Sequence, residues 1–196
     1  MTGRKLDFQG DRVREGFSNT YAGNTLIQQG TLSAGNASAL GTGAVQVSGG
    51  TLATTVASLS IGGEYFQSSG ALNLGNAGTL AMASSKNFTM TGGTLNLALG
   101  SSFSQITGGG TGVFSISGGT VAFDTTGAGF SYGSTYQVAS GFASYAVSGV
   151  SYSGYDSVNY TNYQVGLDFR AVGRALCPPG FRVVAGVKPA PQPLTA

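Results

Sequence analysis

QGTL (29–32), SGGTL (48–52), SSGAL (68–72), TGGTL (91–95) and SGGTV (117–121) are five versions of one phrase: a glycine, then threonine or alanine, then an aliphatic residue. The phrase glycines, Gly30, Gly50, Gly70, Gly93 and Gly119, follow one another at intervals of 20, 20, 23 and 26 residues. A second pair, LSAGNASAL (32–40) and LNLGNAGTL (72–80), aligns residue for residue at an offset of 40, two periods of 20. Self-similarity at this period marks a repeat architecture, in which each unit buries its apolar face only against its neighbours.

Around each glycine the sequence alternates with period two, as in Val45-Gln46-Val47, Phe88-Thr89-Met90, Thr94-Leu95-Asn96-Leu97 and Phe114-Ser115-Ile116. Alternation of this kind describes short strands with one buried face, and no 3.6-residue period accompanies it. The glycines between strands permit positive φ and hence a sharp bend. An antiparallel meander of hairpins would leave the same local trace. Recurrence of the same residue types in the same register favours a parallel stack instead, an all-β solenoid with coils of roughly 20–26 residues. Its interior ladder would hold Leu32, Leu52, Leu72, Leu95 and Val121, with Asn36 and Asn76 in a ladder of turn asparagines.

The 34 glycines are about 17 per cent of the 196 residues, without the every-third-residue rule of collagen. With 41% hydrophobic positions a packed core is within reach. Only 8% of residues are charged, so hydroxyls, amides and backbone must solvate the surface. From Phe17 to Asp168 the charges are Glu64, Lys86, Asp124, Asp156 and Asp168, and the other eleven lie in the two ends. One lysine in that stretch cannot make a phosphate-binding face, which excludes nucleic-acid binding by the body. The single cysteine, Cys177, excludes an internal disulfide framework. No run of 18 or more apolar residues occurs, and Met1–Gly16 carries charges where a signal peptide has an apolar segment, so neither membrane insertion nor an export signal is predicted for this segment. These shifts divide the chain into a charged tail (1–16), solenoid repeats (17–129), Tyr-rich closing coils or cap (130–169) and a Pro-containing basic tail without regular structure (170–196).

Glu64, Asp124 and Asp156 are the carboxylates an acid–base mechanism would need to group, and with no histidine the materials for catalysis are thin. No catalytic, metal or cofactor residue is expected. The GGGTG string (108–112) lacks the lysine or helix start of a phosphate loop and reads as a coil corner. Seven of the nine tyrosines lie between 132 and 163. Tyr132, Tyr136, Tyr145, Tyr152 and Tyr155 are candidates for an aromatic interaction surface, though capping of the solenoid end is favoured. Thr31, Thr51, Thr94 and Thr120 recur once per coil; such an array can order water as ice-binding surfaces do, but beside a bend these hydroxyls are expected to satisfy turn hydrogen bonds.

The stretch SNTYAGNTLIQQGTLSAGNASALGTGAVQVSGGTL (18–52) closely resembles the autotransporter-associated β-strand repeat of bacterial autotransporter passenger domains and related giant surface proteins. Its parts here are Tyr21 to Gly23, Gly30 to Leu32, Ala39 to Gly41 and Val45 to Leu52, with looser copies through about Phe123. GSTYQVASGF (133–142) and GYDSVNYTNYQVGLDF (154–169) look like the closing segment of similar repeat proteins. The resemblance implies a right-handed parallel β-helix, secreted or displayed at a bacterial surface, acting as stalk, spacer or adhesive surface without catalytic residues. The implied partner is a polysaccharide or a protein of a host or neighbouring cell, with end-to-end self-association as a further expectation; a carbohydrate-binding or polysaccharide-degrading β-helix is the alternative. The family's translocating barrel and sorting signal are not among these residues, so the chain is expected to be a piece of a longer gene product.

Overall fold

A computed structural model describes residues 6–8, 12–75, 77–131, 134–155, 166–167 and 180–184. The described residues form strands joined by turns and bends, without a helix. Strand pairing from coil to coil is parallel, which excludes the hairpin meander and establishes a β-solenoid with three faces. The first face stacks Leu6–Phe8, Thr25–Ile27, the opening halves of Val45–Thr54 and Tyr65–Asn73, then Phe88–Met90, Val113–Ile116 and Ser144–Val147. On the second face lie Arg12–Glu15, Thr31–Ala34, the closing halves of the same two long strands, Thr94–Ala98, Thr120–Asp124 and Ser151–Tyr155. The third carries Ser58–Ile61, Thr79–Met82, Gln105–Thr107 and Thr135–Ser140.

Period-two alternation sends every second side chain inward, and parallel register then stacks like positions. The Leu32–Leu52–Leu72–Leu95–Val121 column is paired rung by rung, and all five side chains are fully buried. Each such side chain contributes about 1.5–3 kcal/mol relative to an exposed one. A second interior column runs Thr25, Val45, Tyr65, Phe88, Phe114, Tyr145, and within it Tyr65 and Phe88 stack with centroids 4.8 Å apart while Phe88 and Phe114 stack at 5.0 Å.

The third column, Ile27–Val47–Gln67–Met90–Ile116, contains one polar residue. Gln67 is fully buried and fully engaged: its Oε1 accepts the Tyr65 hydroxyl at 2.8 Å, and its Nε2 donates to the carbonyls of Gly70 (3.2 Å) and Thr94 (3.1 Å). A buried amide satisfied in this way avoids the desolvation cost of a lone polar group, and its bond to Thr94 ties it to the next coil, so a shift of that coil would leave Nε2 with one partner fewer. Burial pushes the Tyr65 phenol far above its ordinary value. The unfolded chain therefore releases this proton first, near pH ~10, so the stability tied to neutral Tyr65 is complete below that pH and is lost as pH rises beyond it. In an alkaline ultraviolet titration one tyrosine should ionise only together with unfolding, and Tyr65→Phe should remove that step; a smooth titration of every phenol before the fold is lost would refute the assignment.

Coil length, read from register, is 20 (Thr25↔Val45), 20 (Val45↔Tyr65), 23 (Tyr65↔Phe88), 26 (Phe88↔Phe114) and 31 (Phe114↔Tyr145). The glycine corner between the first two faces does not share in this growth. Ile27 to Leu32, Val47 to Leu52, Gln67 to Leu72, Met90 to Leu95, Ile116 to Val121 and Val147 to Tyr152 are each a step of five residues between interior columns. All the additional residues fall at the other two corners. Gly30, Gly70, Gly93 and Gly119 have the positive φ expected of bend glycines. Gly50 does not: Val45–Thr54 runs through this corner as one strand with register shifts. Glycine is needed there for proximity, since a Cβ would lie 2.7 Å from Ile27 Cγ2 and 2.8 Å from the Gln29 carbonyl oxygen.

Three further expectations meet the structure differently. Asn36 has no positive φ; its Oδ1 accepts the Ser38 N–H at 3.0 Å in a side-chain turn, while Asn76 lies outside the described residues and neighbouring Ala77 takes the left-handed conformation. Residues 6–8 and 12–15, assigned to a charged tail, pair in parallel with Thr25–Ile27 and Thr31–Ala34, so the first two faces begin before residue 17. Within 170–196, expected to lack regular structure, Gly180–Val184 forms a strand antiparallel to Thr135–Ser140 and to Gly166–Leu167, and the rest of that stretch lies outside the described residues.

Candidate functional site

The corner between the third and first faces is built from polar side chains that reach the neighbouring coil. Asn24 Oδ1 accepts the Ala44 N–H at 3.2 Å, Glu64 Oε2 accepts the Asn87 N–H at 2.6 Å, and Asn87 Oδ1 accepts the Val113 N–H at 2.7 Å. Each acceptor satisfies a backbone donor left over where the strand ladder is interrupted. Glu64 is thus a structural acceptor. Asp124 lies at the end of the second face, a different corner of the cross-section, and its Oδ1 accepts from both the backbone N–H (2.9 Å) and the hydroxyl (2.6 Å) of Thr126. The fold keeps these two carboxylates on separate corners rather than grouping them, and Asp156 lies outside the described residues. Among the described residues no three of His, Cys, Asp and Glu gather in a way that could hold a metal ion.

The GGGTG string closes the same corner of a later coil. The Gly108 N–H donates to Ser140 and the Gly110 N–H to Gly141, at 2.7 and 2.8 Å, so these amides bind the next coil's carbonyls. These two donors are therefore not aimed at a phosphate.

Of the five tyrosines, Tyr132 lies outside the described residues and Tyr155 is placed by its backbone alone, on the second face opposite Asp124. Tyr136 is buried; its ring stacks on Phe130 at 6.0 Å and meets Phe103 edge-on, and its hydroxyl accepts the Ser131 N–H at 3.1 Å. Tyr145 and Tyr152 continue the interior columns of Phe114 and Val121 into the last coil, where both are half-buried. Burial pushes both phenols up, and at Tyr145 the hydrogen bond from the Phe142 N–H (3.0 Å) works against that shift. Tyr136 is thus part of the core, and Tyr145 and Tyr152 stand at the end of its columns.

The outward columns of the second face read Thr31, Thr51, Ala71, Thr94, Thr120, Ser151 and, two residues on, Ser33, Ala53, Asn73, Asn96, Ala122, Ser153. The threonines do form a ladder. Their hydroxyls do not bond to the turns as expected: those of Thr31, Thr51, Thr94 and Thr120 have no partner among the described residues, and none of the four oxygens is sealed from solvent. The turn carbonyls are instead taken by backbone donors, Thr51 N–H to Gly30 at 2.8 Å, Thr120 N–H to Gly93 at 2.8 Å and Ser151 N–H to Gly119 at 2.9 Å.

Parallel coils stacked on three faces, with a glycine at each corner between the first two, define a β-solenoid repeat protein. Comparison with protein-family models, with curated proteins and with solved structures gave no match.

Proposed function

We propose that the chain is a non-catalytic segment of a bacterial surface or secreted repeat protein, acting as a rigid spacer or adhesive stalk in the manner implied by its resemblance to autotransporter passenger repeats. The observation that carries this reading is the use of the body's polar side chains: Asn24, Glu64 and Asn87 latch coil to coil, and Gln67 bonds to the next coil from the interior. A stack held in this way has length and stiffness as its principal properties. Its partner on this reading is a surface polysaccharide or a protein of a neighbouring cell.

The test is to incubate the full chain with neutral and acidic bacterial polysaccharides and to measure both retention and release of reducing ends. Retention without release, unaffected by Asp124→Ala, is expected of an adhesive segment, and neither retention nor release of a spacer. Release that disappears in Asp124→Ala or Glu64→Gln would replace this proposal with a polysaccharide-degrading β-helix.

A further inference from the structure

We infer that the outer surface of the second face is an ice-binding plane. The inference does not depend on the spacer reading, because it concerns one face of the solenoid whatever the parent molecule does.

The second face is kept regular by where the coils grow. Coils grow from 20 to 31 residues along the chain, yet each insertion falls at the other two corners, and the five-residue step into the second face never changes. Its outward positions therefore stay in one lattice. Coils repeat at about 4.8 Å and alternate residues on a strand at about 6.6 Å, so the six rungs from Thr31 to Ser151 cover about 24 Å. Oxygen rows on the prism plane of ice repeat near the first of these spacings.

Chemistry supports the same occupant. Four of the six positions in the first column are threonine, whose hydroxyl both donates and accepts while its methyl lies flat beside it. These hydroxyls reach solvent and have no protein partner among the described residues. The second column supplies serine, alanine and asparagine. No charged side chain interrupts either column between Thr31 and Ser153. That neutrality matters, since a charged group would have to surrender its hydration to meet a rigid neutral lattice. Arg12 and Arg14 take the register positions preceding Thr31 and Ser33, and Asp124 sits at the far border with one oxygen turned back on Thr126. Neither column contains an aromatic ring, the side chain that stacks on sugars.

Thermal hysteresis and crystal shape in a nanolitre osmometer test this with the full chain. Faceted growth and a freezing-point gap are expected of the wild type, lost in Thr51→Lys with Thr94→Lys and kept in Gln46→Lys with Thr89→Lys on the first face, with circular dichroism and melting temperature unchanged. Thr51→Val with Thr94→Val, which preserves shape, should weaken the gap if the lysine pair fails to fold. The inference is overturned if the folded wild type shows no hysteresis, or if the second-face variants retain it. It is equally overturned if those substitutions abolish retention on insoluble cellulose or dissociate a dimer while ice growth is unaffected.

Discussion

Gly93→Val is expected to destabilise the solenoid by on the order of 3 kcal/mol or more, the sum of a strained backbone and a steric conflict with no exit. Gly93 has φ +84°, a conformation that β-branched residues avoid. Its missing Cβ would lie 2.5 Å from the Gly70 carbonyl oxygen and 2.7 Å from Gln67 Nε2. The first of these atoms is backbone of the coil below, so relief requires moving a whole rung, and the second belongs to the buried amide bonded to Thr94. Urea unfolding monitored by circular dichroism reads the effect. Gly110→Ala isolates the backbone cost, since Gly110 has φ +118° with nothing within 4 Å of a Cβ, and Gly16→Ala, with open space and no positive φ, should be neutral. Equal midpoints for Gly93→Val and Gly16→Ala would show that the corner is not packed as described.

Phe88→Ala should cost about 3–5 kcal/mol, the usual range for deleting a buried phenyl ring. Phe88 is fully buried between Tyr65 and Phe114, nearly parallel to each at interplanar angles of 3° and 10°. Removing it opens a cavity in the middle of a column and takes away both stacks. The loss is a substantial share of a whole domain's stability of about 5–15 kcal/mol. Phe88→Leu refills most of the volume and should cost much less. If alanine and leucine prove equally mild in the same denaturation experiment, the ring is not in the core.

The solenoid was legible because its code is short and repeated: Gly-Thr-Leu at fixed spacing places a corner, an outward hydroxyl and an inward aliphatic in three successive residues. Leu32, Leu52, Leu72, Leu95 and Val121 could be assigned to one column without coordinates for that reason. The charged start of the chain hid the same alternation. Leu6-Asp7-Phe8 and Arg12-Val13-Arg14 are period-two segments, but charge density outweighed periodicity in reading them. Gln67 was hidden for another reason. Tyr65-Phe66-Gln67 aligns with Val45-Gln46-Val47 and Phe88-Thr89-Met90, so a polar residue stands in an inward register, and only the positions of Tyr65, Gly70 and Thr94 reveal that it is satisfied. The free state of the threonine hydroxyls could not be read either. Whether a hydroxyl meets a turn carbonyl depends on which donor arrives first, and here the backbone N–H of the next coil does.

The reversed strand at Gly180–Val184 bears on how such a stack comes to an end. A parallel array can in principle lengthen one rung at a time, because every new strand presents the same donor and acceptor pattern as the last. On the third face that continuity stops at Thr135–Ser140, whose outer edge is occupied by a strand running the opposite way. A further rung arriving there would have to displace it or accept an antiparallel neighbour. The direction of a single five-residue segment thus acts as punctuation on that face, in a pattern whose local rules contain no stop.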